Sequence, residues 1–141
     1  VKQNLLDVRS LSVEIPAGKR DREDEDFLLC AKRELSEETG YSSTNWEFLL
    51  YVNTTVAFLD EKIGIYLAKN LQKGEQHFDP DEEIFLEEWE LSDLQDLIFA
   101  GKLTDGKTVA AIQSYAAKLQ KEKQEICSPS EERRIKEMRR V

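Results

Sequence analysis

The sequence predicts an α/β sandwich in which a mixed β-sheet carries one helix on each face. Three observations lead to this prediction. Apolar residues recur at helical spacing within residues 25–39, a second helical stripe follows residue 105, and segments between them alternate apolar with polar residues. A helix with one apolar face buries that face against another element, so the alternating segments would form the sheet between the two helices.

The helix predicted over residues 25–39 has well-defined ends. Acidic residues 24–26 place negative charge where the helix dipole favours it, and Asp24 is the predicted N-cap. Gly40 can adopt the left-handed conformation that ends a helix. The residues that would pack on the sheet are Phe27, Leu28, Ala31 and Leu35.

The strands are predicted from apolar runs, most of them alternating. They cover residues 1–3, Ser10–Ile15, Trp46–Thr55, Lys62–Asn70 and Ile84–Glu90. The segment Leu71–Glu83 contains Gly74 and Pro80 and ends in an acidic run, so it is predicted to be a loop. Because its polar residues have little to bury, we expect this loop to be mobile.

Two further helices follow the last predicted strand. A short one begins at its predicted cap Ser92 and ends before Gly101. The second begins at Thr104 or Asp105, and its buried stripe would consist of Val109, Ile112, Ala116 and Leu119. Beyond residue 120 the chain is mostly charged, which predicts a flexible or weakly helical tail, with a short basic helix from Ser130 as the alternative.

Composition restricts the function classes. The 141 residues suffice for one domain with a core, and 40% of them are apolar. The net charge of -9 argues against a general nucleic-acid binder, because phosphate contacts need a basic surface. An acidic site at which divalent metal brings in a phosphate substrate fits this charge, and so does simple solubility. No apolar run in the sequence is long enough to cross a membrane.

The cysteines and the single histidine add little chemistry. Cys30 lies among apolar residues of the first helix and is predicted to be a small core residue, whereas Cys127 lies in the polar tail. Because no disulfide framework is evident, a reducing cytoplasm is the expected location. His77 lies in the polar loop and is predicted to be a bystander rather than a metal ligand.

The first helix also carries three carboxylates on one face. Glu34 and Glu38 are four residues apart and Glu34 and Glu37 are three apart, so all three would project together. Like charges in such a cluster repel one another unless a cation lies between them. Oxygen ligands suit a hard ion such as Mg²⁺ or Mn²⁺. An acidic solvated helix is the alternative interpretation, although solvation does not require this spacing.

These residues resemble the Nudix box, a glycine followed by spaced glutamates and by the Arg-Glu and Glu-Glu pairs. The matching positions are Gly18, Glu25, Arg33, Glu34, Leu35, Glu37, Glu38, Gly40 and Tyr41. Six residues, not the usual five, separate Gly18 from Glu25, which indicates one inserted residue in the loop. The resemblance implies the Nudix fold, an α/β/α sandwich with a mixed sheet.

A second resemblance is more specific. Glu14–Lys19 is similar to the opening of the box in ADP-ribose pyrophosphatases, Gly74–His77 to their catalytic loop, and Leu91–Leu94 and Gly101–Thr108 to their C-terminal helices. It covers residues 1 to about 119, which we interpret as the Nudix domain, with 120–141 as a charged tail. In these enzymes an N-terminal region precedes the first of these strands, and we expect that region to be absent from this chain.

The resemblance implies a reaction and its metal. It is the Mg²⁺-dependent hydrolysis of the diphosphate of ADP-ribose to AMP and ribose 5-phosphate, with Mn²⁺ as a substitute metal. Two to three ions would be held by Glu34, Glu37 and Glu38 and by the carbonyl oxygen of Ala17. Arg33 would hold the helix carboxylates by a bidentate pair rather than touch the substrate.

Catalysis also needs a base for the attacking water, and the resemblance places it in the acidic loop. Glu82 is the first choice and Glu83 the second. The implied catalytic set is Glu82, Glu83, Glu37 and Arg33, and the implied substrate-binding set is Glu14, Gly18 and Lys2. The partner would be a small nucleotide, with no nucleic acid and no membrane, and the family suggests a homodimer.

Three other functions stay open at this stage. The chain could hydrolyse another nucleoside diphosphate or a triphosphate. It could be a non-catalytic Nudix module that binds a nucleotide, although such a module is expected to have a broken Arg-Glu or Glu-Glu pair, and both pairs are intact here. It could also be an acidic interaction domain, which predicts no tight Mg²⁺ or Mn²⁺ site.

Overall fold

The computed structural model describes residues 2–4, 11–74 and 84–126, with side chains from 13 to 74 and from 86 to 125. The strands in these ranges are β1 Lys2–Asn4, β2 Leu11–Val13, β3 Tyr41–Ser42, β4 Asn45–Asn53, β5 Lys62–Lys69, β6 Gln72–Lys73 and β7 Ile84–Phe85. The helices are α1 Phe27–Thr39, α2 Leu91–Phe99 and α3 Gly106–Ile126. None of the described helices combines the length and the apolar character needed to span a bilayer.

Every strand ladder in the described part of the chain is antiparallel, so the predicted mixed pairing is not seen there. β1 lies between β2 and β7, β3 pairs with β6, and β4 pairs with β5. Strand β6 lies inside the segment predicted to be a loop and pairs there with β3, which directly follows α1. Two strands are shorter than predicted by several residues. β2 ends at Val13, because the amide of Ile15 donates to the Thr108 hydroxyl instead of a strand, and β7 covers only Ile84–Phe85.

The long hairpin of β4 and β5 has a helix on each face, as the sequence predicts. On one face, the ring of Phe27 in α1 lies 5.5 Å from the ring of Tyr51. A register shift after Phe48 keeps Phe48 and Tyr51 on this same face, where their ring centroids are 4.7 Å apart. On the other face, Lys118 of α3 forms an ion pair with Glu47 of β4. The hairpin is therefore the middle layer of the sandwich.

Helix α1 begins later than predicted, at Phe27, and its N-cap is Asp26 rather than Asp24. The Asp26 carboxylate accepts from the amides of Leu28 and Leu29, at 2.8 and 3.3 Å. The preceding residues cannot join the helix because Glu25 closes a separate turn with residues 21 and 22. The predicted C-terminal end is confirmed, since Gly40 has φ of 70° and its amide donates to the carbonyl of Ser36.

The N-cap Asp26 should contribute measurably to the stability of the protein. Asp26→Ala removes the acceptor for two helix amides and should lower the free energy of unfolding by about 1 kcal/mol. Asp24→Ala is the matched control, because Asp24 forms an ion pair with Arg22 in which both side chains are more than three quarters exposed. Its effect should stay below about 0.5 kcal/mol. Urea unfolding of both variants checks this, and a larger loss for Asp24→Ala would contradict the assignment.

The C-terminal helices follow the prediction closely. Helix α2 starts at Leu91, and its N-cap Glu90 lies two residues before the predicted cap Ser92. Gly101, beyond the end of α2, has φ of 68°. Helix α3 is preceded by Asp105, whose carboxylate accepts from the amide of Thr108 at 3.0 Å. Helix α3 continues without a break through residue 120 to Ile126. Its predicted stripe is buried at Ile112 and Ala116 and half-buried at Val109 and Leu119.

Candidate active site

The loop before α1 passes directly over the carboxylate of Glu34. A Cβ atom placed on Gly18 would lie 1.9 Å from the Cδ and Oε1 atoms of Glu34 and 2.2 Å from its Oε2. No other residue fits at position 18 unless the Glu34 side chain moves. The glycine is therefore needed for the close approach of the loop to this carboxylate, not for an unusual φ angle.

The neighbouring loop residue contacts the second predicted ligand. The Oε2 atom of Glu38 accepts from the amide of Ala17 at 3.3 Å. Because Glu34 and Glu38 lie one turn apart, two consecutive loop residues meet two carboxylates on the same helix face. The structure thus brings together Ala17, Gly18, Glu34 and Glu38. Their binding of metal stays a prediction.

Arg33 connects the carboxylates of Glu34 and Glu37. Its Nη1 atom donates to Glu34 at 2.8 Å and to Glu37 at 3.2 Å, so one nitrogen is shared by two carboxylates instead of the predicted bidentate fork. Its Nη2 atom donates to the carbonyl of Lys19 at 2.9 Å. Burial acts to lower the pKa of the guanidinium, but the hydrogen bonds to Glu25 and Glu34 outweigh it and raise that pKa. Arg33 therefore stays charged and holds both helix and loop.

Glu25 organises the inserted part of the loop. Its carboxylate accepts from the amide of Asp21 at 2.7 Å and lies 3.5 Å from Arg33. The hydrogen bond from Asp21 is the largest cause of a lowered pKa at Glu25, with Arg33 contributing. Arg20 completes the turn by donating to the carbonyl oxygens of Glu23 and Glu25. In these contacts Glu25 shapes the loop, and nothing in them requires it to be a metal ligand.

The donor set suits a hard divalent ion. Burial raises the pKa of Glu34, and the nearby charges of Glu37 and Asp21 act in the same direction, whereas Arg33 lowers it. Glu37 is about half exposed and can rotate. As the side chains lie, no three acidic, histidine or cysteine residues among those described converge on one point. Glu34 and Glu37 turn to Arg33, and Glu38 turns to Ala17, so metal binding requires these carboxylates to reorient.

A cavity of about 440 Å³ opens beside these residues, between the loop, α1 and β5. Glu34, Gly18 and Tyr66 contribute to its wall. Its charged lining consists of five cations and four acids: Lys19, Arg20, Arg22, Lys62 and Lys107, and Asp21, Glu23, Glu34 and Glu61. The cations can attract a phosphate group toward the site, which a carboxylate cluster alone would repel.

The other predicted residues are placed only in part. Lys2 lies in β1, between β2 and β7, and its side chain is outside the described residues. Glu82 and Glu83, with the rest of the predicted catalytic loop from residue 75 to 83, lie outside the described residues, as do His77 and Cys127. Cys30 is buried as predicted, with its thiol 3.8 Å from the carbonyl of Gly18.

Sequence reasoning missed one cluster near the site. Lys107 donates to Glu14 at 2.7 Å and to Asp105 at 3.0 Å, and it also lines the cavity. Its pKa is raised, because the hydrogen bonds to these two carboxylates outweigh the effect of burial. Asp105 has a lowered pKa, because bonds from Thr108 and Lys107 outweigh burial. The capping position of Asp105 was visible in the sequence, but the contact across 93 residues to Glu14 had no local signal.

Comparison with known proteins identifies the family. A family model described as the NUDIX domain matches residues 2–112. A methanol dehydrogenase activator of Bacillus methanolicus is 43% identical over 103 residues, which cover 72% of this chain and 55% of that protein. An ADP-ribose pyrophosphatase of Bacillus subtilis (strain 168) is 36% identical over 115 residues, which cover 80% of this chain and 62% of that protein. The chain therefore spans less than two thirds of the length of either relative.

A solved structure supports the fold. It is described as an ADP compounds hydrolase, and it superimposes with a TM-score of 0.72 at 20% identity, covering 86% of this chain and 65% of that one. At this identity the likeness concerns the fold alone. Since the family model matches well over half of the sequence, the chain belongs to the Nudix family, and ADP-ribose pyrophosphatases are among its relatives.

Proposed function

We propose that the chain carries the active site of a Mg²⁺-dependent Nudix hydrolase that cleaves the diphosphate of ADP-ribose to AMP and ribose 5-phosphate. One observation carries this proposal. The carboxylates of Glu34 and Glu38 meet the consecutive loop residues Ala17 and Gly18 beside a cavity whose wall includes five cations. The named activity of the Bacillus subtilis relative supports ADP-ribose as the substrate.

Different residues of the chain would bind the metal, position the loop and accept a proton. Glu34, Glu37 and Glu38, with the carbonyl oxygen of Ala17, would hold the metal. When bound, Mg²⁺ would neutralise charge on the diphosphate and lower the pKa of water. Arg33 would keep the helix and loop in register through its bonds to Glu34 and to the carbonyl of Lys19. Glu82 would accept the proton of the attacking water.

A substrate panel tests the proposal directly. Turnover with Mg²⁺ is compared for ADP-ribose, other nucleoside diphosphate sugars and nucleoside triphosphates, using the longest natural form of the protein. We expect the highest kcat/KM with ADP-ribose and no turnover after chelation of the metal. Faster cleavage of a triphosphate would assign a different Nudix substrate, and nucleotide binding without turnover would assign a non-catalytic module.

A second function is favoured by the relative from Bacillus methanolicus, whose name describes it as an activator of methanol dehydrogenase. In that case the chain would stimulate a dehydrogenase of its host. Adding the purified protein to a methanol dehydrogenase and following alcohol oxidation tests this. The variant Glu38→Gln, assayed in parallel, shows whether stimulation depends on the carboxylate site. An unchanged oxidation rate with the unmodified protein would exclude the activator function.

The predicted base gives a separate test. Glu82→Gln should lower kcat by about 10²–10⁴-fold and leave KM nearly unchanged, because a general base acts only in the transition state. Steady-state kinetics with ADP-ribose measure both constants, and Glu83→Gln is the matched variant. If Glu83→Gln is inactive and Glu82→Gln is active, the base is Glu83. Full activity of both variants would place the base outside this loop.

A further inference from the structure

Three residues at or just before the start of α3 hold the segment that leads from β2 into the loop before α1. The hydroxyl of Thr108 accepts from the amide of Ile15 at 3.1 Å and donates to Asp105 at 2.6 Å. Lys107 donates to Glu14 at 2.7 Å and to Asp105 at 3.0 Å. Glu14 is therefore held through its side chain and Ile15 through its backbone, by residues 93 positions further along the chain.

These contacts lie in protected surroundings. The side chains of Glu14 and Lys107 are 13% and 21% exposed, and Thr108 as a whole is 1% exposed. A hydrogen bond to a charged group is stronger when it is shielded from water. Removing one of its two partners then costs more free energy than it would at an exposed position. Removing Lys107 would leave the carboxylates of Glu14 and Asp105 without the ammonium group that joins them.

Little flexible chain separates this anchor from the candidate ligands. Ile15 is followed by Pro16, whose ring fixes its φ angle, and then by Ala17 and Gly18. These two residues meet Glu38 and Glu34. A shift of Ile15 would therefore move the loop atoms against which both carboxylates lie.

We propose that Lys107 and Thr108 are positioning residues for the metal site. They hold Glu14 and Ile15 so that the loop presents Ala17 and Gly18 to the carboxylates of α1. The effect on metal binding rests on the proposed function, whereas the effect on the loop itself rests only on the contacts described above.

Lys118 supplies a matched control for Lys107. It lies on the same helix and likewise pairs with two carboxylates, those of Glu47 and Glu122, but on the outer side of the hairpin. In Lys107→Met, we expect Mn²⁺ affinity to fall by about tenfold, the size typical when a residue that supports metal ligands is lost. Lys118→Met should bind Mn²⁺ like the unmodified protein. Isothermal titration calorimetry measures the three affinities.

Hydrogen exchange gives a readout that does not depend on metal or activity. The amides of Ile15 and Ala17 should exchange at least several-fold faster in Lys107→Met and in Thr108→Val, with exchange in β4 and β5 unchanged. Thr108→Ser keeps the hydroxyl and should restore slow exchange at Ile15. If Thr108→Val fails to fold, Lys107→Met alone decides, because its side chain is less completely enclosed.

The outcomes separate this inference from the proposed function. Unchanged exchange at Ile15 and Ala17 in Lys107→Met, or equal Mn²⁺ affinities for Lys107→Met and Lys118→Met, would overturn the positioning role. Faster exchange at these two amides together with weaker Mn²⁺ binding would support it. That result would hold even if the unmodified protein hydrolysed no diphosphate, an outcome that would overturn only the proposed function.

Discussion

Gly18→Ala should abolish most of the hydrolase activity while leaving the protein folded. The added Cβ would lie 1.9 Å from the carboxylate carbon of Glu34, so that carboxylate has to move. It is the end of a flexible side chain, and Gly18 does not have a positive φ angle, so the backbone can accept alanine. We expect the free energy of unfolding to change by no more than about 1 kcal/mol.

The functional loss should be much larger. A ligand misplaced by about 1 Å can cost on the order of 10²-fold in rate, and we expect at least this loss in kcat/KM for ADP-ribose. Gly106→Ala is the matched control, because a Cβ there meets nothing within 4 Å. It should keep full activity. Kinetics and urea unfolding of both variants measure the two effects, and an active Gly18→Ala enzyme would show that the position of Glu34 does not matter.

Glu38→Gln should likewise reduce turnover far more than stability. The amide oxygen of glutamine can still accept from the Ala17 amide, so the structural contact is retained. The charge that would bind the metal is lost. We expect kcat/KM to fall by about 10²-fold or more, since the loss of a residue that merely supports a metal ligand already costs 10–100-fold.

A charge-matched variant separates this loss from a general electrostatic effect. Glu122→Gln removes one negative charge from α3, where Glu122 pairs with Lys118 on the outer side of the sandwich. Its activity should equal that of the unmodified protein. Unfolding of Glu38→Gln at ordinary temperature would mean that Glu38 is a structural residue, and normal Mn²⁺ binding by this variant would remove it from the ligand set.

The features that the sequence predicted well depend on local pattern. The first helix and its Gly40 end followed from apolar spacing and from a residue that tolerates positive φ. The N-cap was wrong by two residues because Asp24 and Asp26 have the same capping chemistry. What distinguishes them is the turn that Glu25 closes with the Asp21 amide, and that turn belongs to the inserted part of the loop.

The remaining features depend on contacts between distant segments. That Lys107 reaches Glu14, or that Ile15 ends its strand by bonding to Thr108, cannot be predicted from spacing within a helix. The carboxylates were predicted to share one face and to be held by Arg33, and Arg33 does contact Glu34 and Glu37. Arg33 was expected to form a bidentate fork, and the structure instead divides one of its nitrogens between Glu34 and Glu37.

That shared nitrogen makes Arg33 an internal counter-ion for the carboxylates of Glu34 and Glu37. Because a positive group already offsets part of their repulsion, we expect the fold not to depend on a divalent ion in the way that a zinc finger does. A metal entering the site has to compete with the guanidinium for Glu34 and Glu37, which weakens the apparent affinity by the fraction of molecules in the competent arrangement. We therefore expect folding and metal binding to be separate equilibria, with only the second responding to the supply of the ion.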